Sequence, residues 1–262
     1  MTGQSHPLIL KSNIELRQRF HELKKGDVVA CVLNLAPNED YLLLDMVERG
    51  VIVFPPAISQ LSSRSKCCQA TIFAQWMPPL TSVVRKKADL ARVLEVYSDK
   101  GIDEVITKLD HSDCGLGICR WRSLDDVFNQ VAFSQTPPYP FVIQPFLRNC
   151  TDIRIVWIGD IYREAYWRKN PRGFRNNLHF GGMSGDYQLG GEELRICSEV
   201  MMRGKYPYAH IDLLKTAEGG VYFSEISLFG GLKGAKISPK EAAEMKKAVE
   251  DSFIMDMEGM SG

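Results

Sequence analysis

Two acidic residues in the C-terminal part of the chain are spaced to face each other across a turn. Tyr208-Ala209-His210-Ile211-Asp212-Leu213-Leu214 and Val221-Tyr222-Phe223-Ser224-Glu225-Ile226-Ser227 alternate with the strand period around a turn centred on Glu218-Gly219. That register sets Asp212 opposite Glu225 and Ile211 opposite Ile226, and a one-residue slip would turn the apolar residues to the polar face. Facing carboxylates repel and destabilise a hairpin unless positive charge lies between them. A hard divalent cation with oxygen ligands would supply that charge. The alternative is a pair of solvated acids at a strand edge.

Three other segments carry residues suited to an anionic ligand. Lys108, in Ile106-Thr107-Lys108-Leu109, stands on a strand just before the small glycine turn Gly115-Leu116-Gly117. A lysine there reaches a phosphate while glycine backbone approaches the same charge, unless it is a surface lysine before an ordinary turn. Phe174-Arg175-Asn176-Asn177-Leu178-His179-Phe180-Gly181-Gly182 lies in a loop that also holds Arg168, Lys169 and Arg172. Guanidinium and amide groups concentrated in a long loop suit phosphate oxygens; the alternative is a solvated basic loop with His179 packed or capping. Gln144-Pro145-Phe146-Leu147 leaves a strand ahead of Asp152-Ile153-Arg154, so irregular backbone could read an adenine edge and a carboxylate could hold a ribose hydroxyl.

The elements that must position these groups read as three lobes and a tail. Residues 1–62 form a short α/β lobe: a helix opened by the Ser12/Glu15 capping box and ended by Gly26, a strand Val28–Leu35, a helix Glu39–Arg49 and a strand Val51–Phe54. Residues 63–140 hold one helix from about Arg64 to Trp76, a strand Thr81–Val84, a helix Ala88–Ser98, strands Glu104–Leu109 and Ile118–Trp121, and a helix opened by Ser123. Pro137-Pro138-Tyr139-Pro140 marks a boundary. Residues 141–254 begin with the strand Phe141–Gln144 and continue with two strands joined by a two-residue Gly159-Asp160 turn. A loop from Lys169 to Gly191, a helix Glu192–Met202, the acidic hairpin and a helix Pro239–Phe253 complete that lobe. Residues 255–262 read as a tail.

Composition narrows the class. Lys+Arg and Asp+Glu both number 32 in 262 residues, so net charge argues for neither nucleic acid nor a membrane surface. The seven cysteines are odd in number and lack metal-site spacing, which reads as reduced thiols and a cytoplasmic protein. There is no apolar run of membrane-spanning length and no leader-like start.

In this order the residues resemble the ATP-grasp superfamily, and within it the RimK-type, glutathione synthetase-like ligases that include enzymes adding glutamate to ribosomal protein tails. The resemblance runs from about Phe54 to Gly234 and is closest in Phe174–Gly182 and from Ile211 through Glu225-Ile226-Ser227 to Gly234. It implies an α+β ATP-grasp fold, two α+β lobes clasping ATP, preceded by the short α/β lobe. It further implies that Lys66 and Lys108 contact ATP phosphates, that Gln144, Pro145, Phe146 and Leu147 form the adenine hinge, and that Asp152 lies on the ribose side. Arg175, Asn176 and Asn177 match the groups that grip the terminal phosphate, with Arg175 and Asn177 catalytic. Asp212, Glu225 and Ser227 fall at the metal-ligand positions for one or two Mg2+ ions, with Mn2+ as a substitute.

Two residues depart from the family pattern. Ser227 stands where the family usually has asparagine, which puts the second metal in doubt; His210, opposite Ser227, is either a structural histidine or a compensating ligand. Pro145 replaces a common acidic hinge residue, although its carbonyl can still accept from adenine.

The implied activity is ATP-dependent joining of a carboxylate and an amine through an acyl phosphate, releasing ADP and phosphate. The substrates would be small molecules or peptides, with no nucleic acid or membrane partner and with homo-oligomerisation left open. The alternatives are a degenerate nucleotide-binding ATP-grasp module and an ATP-dependent kinase on the same fold. No motif identifies the carboxylate or the amine.

Overall fold

A computed structural model describes residues 6–112, 117–171, 173, 174, 176, 178 and 181–259. The first lobe is a parallel three-stranded sheet, β1 (Ile9–Leu10), β2 (Val28–Ala30) and β3 (Ile52–Phe54), in that order. It carries α1 (Asn13–Arg19) and α2 (Tyr41–Glu48) over a core of Leu10, Leu16, Val29, Leu43 and Met46. The Ser12 hydroxyl caps α1 by accepting from Glu15 N–H, as the capping pattern requires. Strand β2 stops at Ala30, short of the expected Leu35. Beyond it, Leu33 N–H donates to the Gln60 side chain and not to a strand.

The helix expected from about Arg64 to Trp76 is α4 (Lys66–Ile72) followed by a tight turn at Ala74–Trp76, and a further helix, α3 (Ala57–Arg64), precedes it. Ser65 divides them because its extended backbone (φ −123°, ψ 114°) leaves its hydroxyl to cap α4 through Cys68 N–H. Asp110 fastens the same helix end to the next lobe, accepting from Cys67 N–H at 3.1 Å and from the Ser65 hydroxyl at 3.0 Å.

The second sheet is antiparallel, with β4 (Ser82–Val84), β7 (Phe141–Pro145), β5 (Val105–Leu109) and β6 (Ile118–Trp121) in that order. Helices α5 (Lys87–Asp99) and α6 (Leu124–Phe133) complete this lobe. The boundary read at Pro140 therefore falls one strand early, since β7 lies between β4 and β5. Its alternation explains why: Phe141 and Ile143 enter the α5/α6 core, while Val142 faces the core of the following lobe.

The third sheet is antiparallel in the order β10 (Met183–Asp186), β9 (Tyr162–Lys169), β8 (Thr151–Ile158), β11 (Tyr208–Lys215), β12 (Val221–Ser227). Strand β10 lies in the segment expected as loop, because Met183-Ser184-Gly185-Asp186 has little strand propensity and is drawn into the sheet by pairing with β9. Ile158 pairs with Tyr162, so three residues, and not two, join β8 to β9. The main core joins Ile153, Ile155, Ile211, Leu213 and Ile226 to Phe73 and Trp76 and to Ile196 and Val200 of α7 (Gly191–Gly204). Helix α8 (Pro239–Gly259) outruns its expected end at Phe253, so most of the anticipated tail is helix. Phe253 stacks on Phe54 at 4.2 Å and Ile254 packs with Val28 and Ala30, which binds the chain's end to its first lobe. No helix among the described residues is long and apolar enough to cross a membrane.

Candidate active site

A cleft of about 1440 Å³ separates the second and third sheets. Lys66, Lys108, Gln144, Phe146, Leu147, Asp152, Asn176, Asp212, Glu225 and Ser227 line it, and Pro145 does not. Arg175 and Asn177 lie outside the described residues, as do Gly115, Leu116 and His179.

The acidic hairpin has the expected register: His210 pairs with Ser227, Ile211 with Ile226 and Asp212 with Glu225, with a bulge following Asp212. The positive charge beside the carboxylates comes from the protein itself. Arg154 grips Asp212 bidentately, Nε to Oδ1 and Nη2 to Oδ2, both at 2.7 Å. Arg168 bridges Asp212 Oδ2 at 2.9 Å and Asp152 Oδ1 at 2.5 Å. Sequence reasoning missed both arginines as partners. Their pairing follows from strand order, since β8 sets Arg154 beside Asp212 and β9 sets Arg168 beside Asp152. The signal available was Asp152-x-Arg154, whose alternation puts both side chains on one face.

The shared cations separate the two acids. Burial works to raise the Asp212 pKa, but Arg154 and then Arg168 outweigh it and hold the carboxyl below the usual range. Burial raises Asp152, against the pull of Arg168. Asp152 is thus engaged by a guanidinium.

The lysines are held differently. Lys108 is only 7 % exposed, and burial lowers its pKa to about 8. Its ammonium donates to the Ser224 carbonyl and hydroxyl oxygens, both at 3.3 Å. Lys66, the first residue of α4, donates to Ser112 O and lies 3.4 Å from Glu225 Oε1. On the hinge, Gln144 Oε1 is buried without a hydrogen-bond partner among the described residues. Phe146 N–H already donates to Glu104 O at 2.9 Å, so that backbone donor is unavailable to a base. Its ring carries the Arg120 guanidinium at 4.1 Å, another contact that sequence reasoning missed.

Asp212 and Glu225 suit one hard cation, because both lie on one face of the cleft and Asp212 is held ionised. Remaining ligands would be phosphate oxygens and water, since the described residues contain no group of three His, Cys, Asp or Glu side chains placed for a metal. Ser227 Oγ accepts from Phe229 N–H at 3.1 Å and lies 3.2 Å from Ser63 Oγ, so its hydroxyl already has partners.

Two sheets facing each other across a cationic cleft, with paired acids on the wall opposite a buried lysine, define a nucleotide clasp. The sequence matches the RimK-like ATP-grasp domain over residues 62–248, and the chain belongs to that family. It is similar to probable alpha-L-glutamate ligase 2 of Hahella chejuensis, with 22 % identity over 276 residues that cover 92 % of this chain and 89 % of that protein. The fold is similar to D-cycloserine synthetase DcsG, at 15 % identity and TM-score 0.62 over 86 % of this chain and 83 % of that one. It is also similar to D-alanine–D-alanine ligase from Bacillus anthracis complexed with ATP, at 15 % identity and TM-score 0.63 over 97 % and 86 % of the two chains. The expected α+β ATP-grasp architecture is thus present. The chain is an ATP-dependent carboxylate–amine ligase, forming a carbon–nitrogen bond and releasing ADP.

Proposed function

We propose that ATP lies in this cleft with its base at Gln144 and Leu147 and its phosphates between Lys108 and Lys66. Asp212 and Glu225 would hold one divalent cation, Mg2+ or Mn2+, on the opposite wall. The observation that carries this reading is Lys108, a buried cation whose contacts are neutral oxygens of Ser224 and whose charge is destabilised by burial. A phosphate beside it would relieve that penalty. The orphaned Gln144 Oε1 fits the second half of the ligand, being a buried acceptor that an adenine amine would satisfy.

A substrate carboxylate oxygen attacks the γ-phosphorus, the bond to the β-phosphate oxygen breaks, and an acyl phosphate and ADP result. A neutral amine then attacks the acyl carbon, phosphate leaves, and the amine's extra proton passes to phosphate or water. A bound divalent cation supplies Lewis-acid polarisation of phosphate oxygens. The chain's own part is positioning and charge: Lys66 and Lys108 neutralise the phosphates, while Arg154 and Arg168 keep Asp212 ionised. Arg175 and Asn177 would act on the transferring phosphoryl group. Lys169 and Lys233 also line the cleft. With the glutamate named for the Hahella relative, they favour an acidic amino acid or peptide as a substrate. A cytoplasmic location suits the nucleotide supply.

The test is ADP release with Mg2+ against a panel of acidic amino acids, short peptides and amines. Release that needs both a carboxylate and an amine supports the reading. ATP binding with no substrate-dependent release across the panel would favour a nucleotide-binding module.

A further inference from the structure

Strand β12 is an edge of the third sheet, and an edge strand leaves alternate N–H and C=O groups unpaired. At Ile226 a side chain takes the place of the missing strand. Ile226 N–H donates to Gln69 Oε1 at 3.1 Å, and Gln69 Nε2 donates back to Ile226 O at 2.9 Å. The same Nε2 donates to Ser62 O at 2.7 Å, and Gln69 is 2 % exposed. Ser63 Oγ continues the edge, accepting from Leu228 N–H at 2.9 Å.

This grip falls between Glu225 and Ser227, which both line the cleft. The Ile226 side chain is buried in the core, so by alternation Glu225 and Ser227 turn outward on either side of it. Gln69 also stands one helical turn from Lys66 on α4, and Lys66 approaches Glu225. One short helix therefore carries a cleft lysine and the amide that fixes the backbone of its carboxylate neighbour.

We propose that Gln69 is a positioning residue: by completing the β12 edge at Ile226 it sets Glu225 for the divalent cation and holds the spacing between that cation and Lys66. The proposal rests on the nucleotide and metal reading above. Gln69 lines the cleft, but its amide is engaged by Ser62 and Ile226, so its role runs through the peptide units flanking Glu225 and Ser227. Loss of such an outer contact weakens metal binding by about 10- to 100-fold.

Two variants test it, with calorimetry of the β,γ-imido analogue of ATP in the presence and absence of Mn2+. In Gln69→Met the ratio of the two affinities should fall about tenfold or more from wild type, while affinity without metal changes little. Gln69→Glu keeps the shape and adds a titration. Its protonated carboxyl can accept from Ile226 N–H and donate to one carbonyl, whereas the ionised form would point at the Ile226 and Ser62 oxygens. Its ratio should therefore be close to wild type near pH 6 and fall about tenfold by pH 9, each measured against wild type at the same pH. This variant also keeps the test decisive if Gln69→Met fails to fold. If wild type shows no metal-dependent affinity, the metal reading fails and takes the proposal with it. If wild type shows that dependence and both variants keep its ratio at every pH, the role assigned to Gln69 is wrong and the site reading stands.

Discussion

The two walls of the cleft hold charge in opposite ways. On the β8–β12 wall, Asp152 and Asp212 are locked to Arg154 and Arg168 by contacts of 2.5 to 2.9 Å, so acid and base neutralise each other before any ligand arrives. On the opposite wall Lys108 leans on neutral oxygens at 3.3 Å, and Lys66 stands 3.4 Å from Glu225. A preformed, satisfied network is rigid and costly to break, whereas an under-paired buried cation favours whatever anion enters. The acid wall is built as a fixed template and the lysine wall as the part that responds to ligand.

Asp212→Asn breaks the template and should have the largest effect. From sequence alone, removing one of two repelling acids would be expected to steady the hairpin. The arginines reverse that expectation, because the substitution leaves the half-buried Arg154 without a carboxylate and the buried Arg168 with Asp152 alone. We expect a stability loss of about 3 to 5 kcal/mol in urea unfolding and ADP release reduced by at least about a hundredfold. A variant as stable as wild type would show that the arginine network does not hold this wall together.

Lys108→Met tests the responsive wall. A lysine whose pKa falls from 10.5 to about 8 on folding binds fewer protons folded than unfolded across that window, so it makes ligand-free stability rise with pH there. Below the window its buried charge costs on the order of 3 kcal/mol. Methionine should raise the neutral-pH melting temperature, flatten the stability profile from pH 8 to 10.5, and weaken ATP binding by about 10- to 100-fold. Wild-type ATP affinity should likewise decline as pH rises above about 8, until it passes the higher pKa that a bound phosphate gives Lys108. A melting temperature lowered by the methionine would contradict the charge penalty on which this wall's role depends.

Where side-chain pattern decides the outcome, sequence reasoning reached it. Burial of Ile211 and Ile226 fixes the hairpin register, and the positions of Asp212, Glu225, Ser227 and His210 follow. It failed where a non-local partner decides. Ala57–Arg64 is serine-rich and weakly helical by propensity, and its helix is stabilised where Ser59, Gln60 and Ser62 are buried against neighbouring elements. The arginine partners of the acids became visible only with the strand order β9, β8, β11, which no local motif encodes. Gln69 reaches Ile226 across 157 positions of sequence, so nothing near either residue announces the contact.

Lys66→Met asks whether the lysine wall screens the template from free metal. In the ligand-free chain Glu225 has Lys66 nearby and Asp212 has two arginines, so a divalent ion without nucleotide meets carboxylates that already have cation partners. Wild type should bind Mn2+ alone weakly. Removing the Lys66 charge should tighten that binding by about 3- to 10-fold, since one nearby like charge at intermediate dielectric is worth about 1 kcal/mol. Spin resonance of free Mn2+ would read the change. Equal binding by both proteins would mean that Lys66 does not screen Glu225.

Ser227→Ala should have the smallest effect and sharpens how far the template extends. The Ser227 hydroxyl accepts from Phe229 N–H and lies against Ser63 Oγ, so it is engaged in shaping the turn after β12. Ser63 retains its bond from Leu228 N–H without it, and Phe229 lies at the exposed mouth of the cleft where water can take over the lost acceptor. The metal requirement for ADP release should therefore shift by less than about threefold, corresponding to the loss of one partly exposed hydrogen bond. Ser227→Asn would have to displace Ser63 before its amide could ligate, and should change the requirement little as well. A tenfold rise in the metal concentration needed by Ser227→Ala would instead make the hydroxyl a true ligand and extend the preformed template from Asp212 and Glu225 to the end of β12.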